Sequence, residues 1–301
     1  MPALAGLVEH DGMAVALVEE FVDGTPVGWE GLIGQLAAGE DAIGDMGDLG
    51  RVAGALHRRL AEALGTRPGG TADVVAERAA AHLGVRPVGS DPATEANAEP
   101  GVRRHGSDPM TTGARSGGVR PHGSDPVTTG ARSGGVIPHG SDPVMAGVDF
   151  SPAIDAHLAQ LDRLRGAKLQ RVHGDLHVGQ VLRTDRGLVV IDFEGEPSLP
   201  LRERSRERSP LVDVASLLLS LDHAGCAAAR REPSFDWRSW SHEARAACLA
   251  GYEDEAGTVE PELLRALEVA KELRELEYAE RWLPEWLYAP RTVLPTLLEG
   301  A

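Results

Sequence analysis

The stretch that most constrains this chain is residues 171–196, RVHGDLHVGQVLRTDRGLVVIDFEGE. Val181-Leu182 and residues 188–191 are apolar, partly β-branched runs, and Thr184-Asp185-Arg186-Gly187 between them has turn composition. The segment therefore reads as a β-hairpin. Asp175 lies on the loop before the hairpin, and Asp192 sits where its second strand ends. A hairpin brings its flanks together, so the two carboxylates converge, with the amide of Gln180 beside them. A few hard oxygen donors at one point suit Mg²⁺. Phosphoryl transfer uses such a set: one carboxylate takes the acceptor hydroxyl's proton, and another holds the metal that neutralises the nucleotide phosphates.

His173-Gly174-Asp175 with Gln180, followed by Ile191-Asp192-Phe193-Glu194, resembles the aminoglycoside phosphotransferase group, whose fold is protein-kinase-like. The longer strings HGDLHVGQVL, IDFEGEP and SPLVDVA look like the actinobacterial maltokinases and the related glucosamine kinases. The likeness is specific over residues 169–221 and weaker over 15–64 and 273–298. It implies an α+β, protein-kinase-like chain, mainly the helical large lobe with a short β remnant of the small lobe. It implies Asp175 as catalytic base, Gln180 and Asp192 as Mg²⁺ ligands with Glu194 as a further one, and Asp213 as the residue that fixes the catalytic loop. It also implies ATP, with Glu20, Phe21 and Val22 in the hinge that meets adenine. Gln180 replaces the Asn usual in the wider group but suits the maltokinase branch. Two other readings of the stretch exist. His173-x-Asp175-x-His177 would open a metallohydrolase site, but no second His cluster of that spacing occurs. In an ordinary hairpin the aspartates would cap turns.

The formal charge of −16 disfavours nucleic acid and anionic membrane as partners, but not a nucleotide bound through a metal. Cys226 and Cys248 lie in apolar helical surroundings and read as buried free thiols. No apolar run approaches membrane length and no signal pattern opens the chain, so a cytoplasmic protein is expected.

Residues 3–9 and 13–22 flank His10-Asp11-Gly12 as a hairpin and break at Gly24-Thr25-Pro26. Ahead of Lys168 there is no Lys, and no Gly-rich nucleotide loop precedes the hinge. The expected layout is therefore 1–24 as remnant of the small lobe and hinge, 25–84 as the first part of the large lobe, and 148–301 as the catalytic large lobe. Between them, residues 85–147 repeat V-x-x-x-G-S-D-P-type units at a period of 17, poor in large apolar residues. Such units bury too little surface to offset ordering entropy, so a disordered insertion is expected. His105, His122 and His139 recur in it, and their HGSDP differs from the catalytic HGD.

Apolar spacing predicts helices over 41–64, 72–83, 151–165 with Ser151 as N-cap, 211–223, 237–256 and 260–282. His57 lies one step off the apolar stripe and reads as structural or solvated. Asp213 at a helix start also suits the helix dipole. LRERSRERSP, from residue 201, reads as a solvated loop near the acceptor. Tyr278, Trp282, Trp286 and Tyr288 cluster around Pro284, where aromatic faces and acids suit a sugar. An ammonium on the acceptor calls for carboxylates, so His173, Asp175, Glu277, Glu280, Arg281 and Trp286 are the candidate acceptor residues. The expected reaction is ATP-dependent phosphorylation of glucosamine to glucosamine 6-phosphate. The alternatives are phosphorylation of maltose to maltose 1-phosphate, and an inactive sugar-binding module.

Overall fold

In a computed structural model of the chain, the described residues are 4–10, 13–40, 42–82, 150–196, 199 and 201–299. The repeats, and with them the expected insertion 85–147, lie outside these residues. So do Asp11 and Gly12, although the strands they were expected to join, β1 (Leu4–His10) and β2 (Met13–Glu19), pair antiparallel. The catalytic stretch forms β6 (Val181–Thr184) and β7 (Gly187–Val190), closed by the two-residue turn Asp185-Arg186. The short β3 (Thr25–Pro26) adds to β6 and gives a three-stranded sheet of order β3-β6-β7. A second short pair joins β4 (Arg67–Pro68) to β5 (Lys168–Leu169).

Helices make up most of the rest: α1 (Trp29–Ala37), α2 (Ile43–Leu64), α3 (Thr71–His82), α4 (Ser151–Ala159), the one-turn α5 (Leu201–Arg204), α6 (Leu211–Arg231), α7 (Trp237–Ala256), α8 (Pro261–Trp282) and α9 (Tyr288–Leu298). The core is built around α6, whose residues from Leu211 to Ala228 are all buried, against α1, α7, α8 and α9. α6 has the length and apolarity to cross a membrane, contrary to the expectation that no run approaches that length. Its apolar window is wholly buried within the fold, which makes it a core helix.

α2 presents Met46, Leu49, Ala53 and Leu56 at helical spacing, all buried, and ends at Gly65, whose φ of 84° stops the helix. Its glycines let it meet α7 at backbone distance. A Cβ on Gly50 would stand 1.9 Å from the Cys248 carbonyl oxygen, and one on Gly251 would stand 2.1 Å from that of Gly47. Cys248 and Cys226 are buried free thiols, with the Cys248 thiol pushed up to about 12 by burial.

Two local expectations differ from the structure. Ser151 is the first helical residue of α4, and Phe150 occupies the cap position without a side-chain cap bond. The run from residue 201 is not a solvated loop. Arg208 is 5 % exposed and makes a two-pronged pair with Glu77 of α3, 2.7 Å on each prong, while its backbone pairs with that of Gln170. A guanidinium matches a carboxylate in this fork geometry, so alternating charge here marks a docked segment.

The α2–α7 contact makes a direct stability test. Gly50→Ala or Gly251→Ala forces the helices apart and is expected to cost about 1–3 kcal/mol. Gly34→Ala in α1, where a Cβ meets nothing within 4 Å, is expected to stabilise by about 0.5–1 kcal/mol. Urea midpoints of the three variants decide it, and an unchanged midpoint for Gly50→Ala would contradict the close approach.

Candidate active site

The HGD loop is held from behind by Asp213, on the first turn of α6 and fully buried. Its carboxylate accepts the backbone N–H of His173 at 2.7 Å and that of Gly174 at 2.8 Å. The same group accepts His57 Nε2 at 2.9 Å, and His57 Nδ1 meets the Tyr252 hydroxyl at 3.0 Å. Burial alone would push the Asp213 carboxyl up; the His57 hydrogen bond and charge, with His173 and the Gly174 amide, outweigh it and hold it below the usual aspartate range. His57 is therefore structural, a bridge between the catalytic loop and α7.

From the front, the loop meets the end of the hairpin. His173 Nε2 donates to the Ile191 carbonyl at 2.9 Å, its Nδ1 accepts the Asp175 N–H at 3.3 Å, and its ring lies 4.8 Å from that of Phe193. Gly174 has φ 92° and passes so near Gly195 that a Cβ would stand 3.2 Å from its Cα. Glycine is required there on both counts. Asp192 has φ 66°, a conformation no other described non-glycine residue adopts, and its Oδ2 accepts Gln180 Nε2 at 3.0 Å. Strain of this kind persists where surroundings fix it, and here it turns the carboxylate toward Gln180.

The Gln180–Asp192 pair fits a hard cation. With Gln180 Nε2 engaged, its Oε1 and the Asp192 carboxylate are neighbouring oxygen donors. No cluster of three His, Cys, Asp or Glu in metal-binding proximity occurs among the described residues, which excludes from them a zinc-type cage but not a Mg²⁺ held by one or two protein groups. Glu194 is exposed on the turn beyond Asp192. Glu20 and Phe21 are exposed and Val22 half-buried, on the strand-to-strand passage between β2 and β3, with Phe21 88 % exposed.

Asp175 opens into a cavity of about 110 Å³. One side carries charge. Lys271 Nζ lies 3.5 Å from Asp175, 3.4 Å from Glu196 and 2.8 Å from Glu275, and Arg274 Nε is 3.4 Å from Glu196. Burial opposes the Lys271 charge, but Glu196, Glu275 and Asp175 outweigh it and hold the ammonium above the usual lysine range. The other side is aromatic: Trp29 from α1, Trp286 from the 3-10 turn Pro284–Trp286, and the rings of His177 and His223. Trp29 and Trp286 meet edge to face, 5.4 Å between ring centres.

Of the candidate acceptor residues, Asp175 and Trp286 line this cavity. Glu277, Glu280 and Arg281 do not: Arg281 pairs with Glu277 along α8 at 2.8 Å, and Glu280 lies 3.5 Å from Arg291. They are not among the residues that line the cavity, whereas Lys271, Arg274, Glu275 and Tyr278 of the same helix are. His173 packs against the end of the hairpin and is not in the lining. The charged set on α8 escaped sequence reading because its helical register is rough. The one available signal was Lys271, one of two lysines in an arginine-rich chain, set among Leu267, Ala270 and Leu273.

Asp213→Asn tests the clamp. Loss of a buried charged partner is expected to cost about 3–5 kcal/mol. The sign with pH follows from the depressed carboxyl. Its stabilisation is fully present above the ordinary Asp range and is lost as pH falls toward the lower folded value. Urea unfolding of wild type and variant near neutrality and in acid should therefore show the gap closing on acidification. A gap that stays constant with pH would remove Asp213 from that role.

Residues 143–268 match the model of the phosphotransferase enzyme family (APH). Two curated relatives are similar. The glucosamine kinase of Streptacidiphilus jiangxiensis is 39% identical over 158 residues, which is 50% of this chain and 36% of the relative. That of Mycolicibacterium smegmatis is 37% identical over 155 residues, 48% of this chain and 39% of the relative. The matched regions thus span well under half of those relatives. Among solved structures, glucosamine kinase in crystal form A superposes with TM-score 0.70 at 26% identity, covering 100% of this chain and 66% of that one. Glucosamine kinase in complex with glucosamine, ADP and inorganic phosphate gives 0.68 at 25%, covering 100% and 68%. Over residues 143–268 the chain is thus similar to the phosphotransferase enzyme family, and its fold is kinase-like.

Proposed function

We propose that this chain carries the catalytic and acceptor-binding lobe of an ATP-dependent kinase for an amino sugar, converting glucosamine to glucosamine 6-phosphate. The observation that carries the reading is the placement of Asp175 at the boundary between the acid- and tryptophan-lined cavity and the loop packed on the Gln180–Asp192 turn. The acceptor sits in the cavity, with a ring face on Trp286 or Trp29 and its ammonium toward Glu196 and Glu275. Asp175 orients the acceptor hydroxyl and takes its proton as that oxygen bonds to the γ-phosphorus, while the bond from the γ-phosphorus to the ADP oxygen breaks. Gln180 and Asp192 would hold Mg²⁺, which supplies charge neutralisation at the nucleotide phosphates. Glu194 stands near enough in sequence to join them, and Glu20, Phe21 and Val22 remain the proposed adenine-facing segment. The carboxylates in the cavity lining favour an amino sugar over an uncharged disaccharide. Use of ATP and the buried free thiols support a cytoplasmic setting, and the −16 charge argues against nucleic-acid or anionic-membrane partners.

Coupled ADP release with Mg-ATP and glucosamine, glucose or maltose tests this. Glucosamine is expected to be the preferred acceptor, and Asp175→Asn is expected to lower kcat by about 10²–10⁴-fold. Preference for maltose would move the chain to the disaccharide reading. No turnover on any of the three sugars by a folded chain would overturn the claim that these 301 residues suffice for catalysis.

A further inference from the structure

His223 has no role in the transfer described above, yet its position is over-determined. It lies within the apolar core helix α6, 4 % exposed, and its ring lines the acceptor cavity. Nε2 is bound to Glu272 Oε1 at 2.9 Å, and Glu272 is fully buried behind it, outside the cavity lining. The ring stacks on Trp29, 6.5 Å between centres and 25° between planes, and meets Trp286 edge-on at 6.1 Å. Three neighbours thus fix the imidazole plane. The remaining ring nitrogen, Nδ1, has no partner among the described residues and is not one of the atoms sealed from solvent without a bond. A polar atom held rigid at the edge of a buried cavity without a protein partner is a group that a ligand can satisfy.

We propose that His223 is an acceptor-binding residue: Nδ1 bonds an acceptor hydroxyl against the Trp29–Trp286 wall, and Glu272 sets the ring's orientation. The proposal rests on the sugar-phosphotransfer reading and deepens it. Of the cavity lining, Asp175, Glu196 and Glu275 present carboxylate acceptors, and His223 presents a ring nitrogen beside Trp29 and Trp286. Burial opposes a charged imidazole, but Glu272, Glu275 and Asp222 outweigh it, so the ring is held above the usual histidine range and Nδ1 serves as a donor. A donor of this kind repels an ammonium and donates to a hydroxyl oxygen. An amino sugar therefore enters with its nitrogen toward the carboxylates, and that orientation selects which hydroxyl meets Asp175.

Two substitutions separate this role from a purely structural one, because each keeps a different half of the ring. His223→Gln places an amide nitrogen near Nε2 and keeps the Glu272 bond while removing Nδ1. His223→Asn places its amide near Nδ1 and abandons Glu272. The acceptor-binding role predicts that Gln raises the glucosamine KM by about tenfold or more, as loss of one buried hydrogen bond does, with the ATP KM and melting temperature unchanged. Asn is expected to melt lower but to keep a glucosamine KM within about twofold of wild type. A structural role predicts the reverse: a benign Gln and a damaged Asn. A wild-type KM in His223→Gln overturns the proposal. If the Gln variant does not fold, a raised glucosamine KM in folded His223→Asn overturns it instead. Wild-type protein that neither turns over glucosamine nor shows quenching of Trp29 and Trp286 fluorescence on adding it overturns the phosphotransfer reading itself, and this proposal with it.

Discussion

The active-site geometry depends on one buried carboxylate. Asp213 accepts two successive backbone amides and an imidazole, so the HGD loop cannot shift without leaving an unpaired charge in the core. Because α6 supplies Asp213 on its first turn and His223 three turns later, the same rigid helix sets the back of the catalytic loop and one wall of the cavity. His57 extends the clamp to α2 and, through Tyr252, to α7. The close glycine contact between those two helices also fixes the spacing that His57 and Tyr252 bridge. A second buried pair, Glu77 with Arg208, anchors the segment that leads into α6. The two anchors fix the loop and the segment beside it from independent directions.

Against this fixed background the polar groups of the candidate site are held by weaker, local means. The β6–β7 hairpin needs only its two-residue turn and the buried pair Val181 and Val190 to bring Gln180 and Asp192 together. The left-handed backbone at Asp192 has its strain offset by the Ile191 contacts on either side: its carbonyl takes His173, and its amide donates to Gln180. The charged groups of α8 differ in kind, since they are ordered by one another. Lys271 shares three carboxylates, and none of the bonds is short except that to Glu275.

What could be read from the sequence was what local patterning determines. The hairpin, its turn and the helices α2, α3, α7 and α8 follow from period and punctuation, and the pairing of Gln180 with Asp192 follows from the hairpin. What could not be read were groups whose surroundings come from distant chain. Arg208 sits in a string that has the composition of a surface loop, and only the arrival of Glu77 from α3 makes it interior. Lys271, Arg274 and Glu275 lie on a helix whose polar residues surround it, so sequence gives no reason to prefer their face over that of Glu277, Glu280 and Arg281. Trp29 and His223 are single residues on ordinary helices, and they become a wall only when α1, α6 and the Pro284 turn meet. Ser151 was misread because a good capping residue stood one position inside the helix it was expected to begin.

The ionic side of the cavity has an arithmetic of its own. Three carboxylates, Asp175, Glu196 and Glu275, face two cations, Lys271 and Arg274, while His223 and Glu272 close a pair between themselves. Acidic groups thus outnumber basic ones in the lining, and a field of that sign favours a cation. A ligand bearing a positive charge is drawn to it more strongly than an uncharged ligand of the same shape. The cavity thus sorts ligands by ionisation state as well as by outline. An amine that gives up its proton on alkalisation loses that attraction.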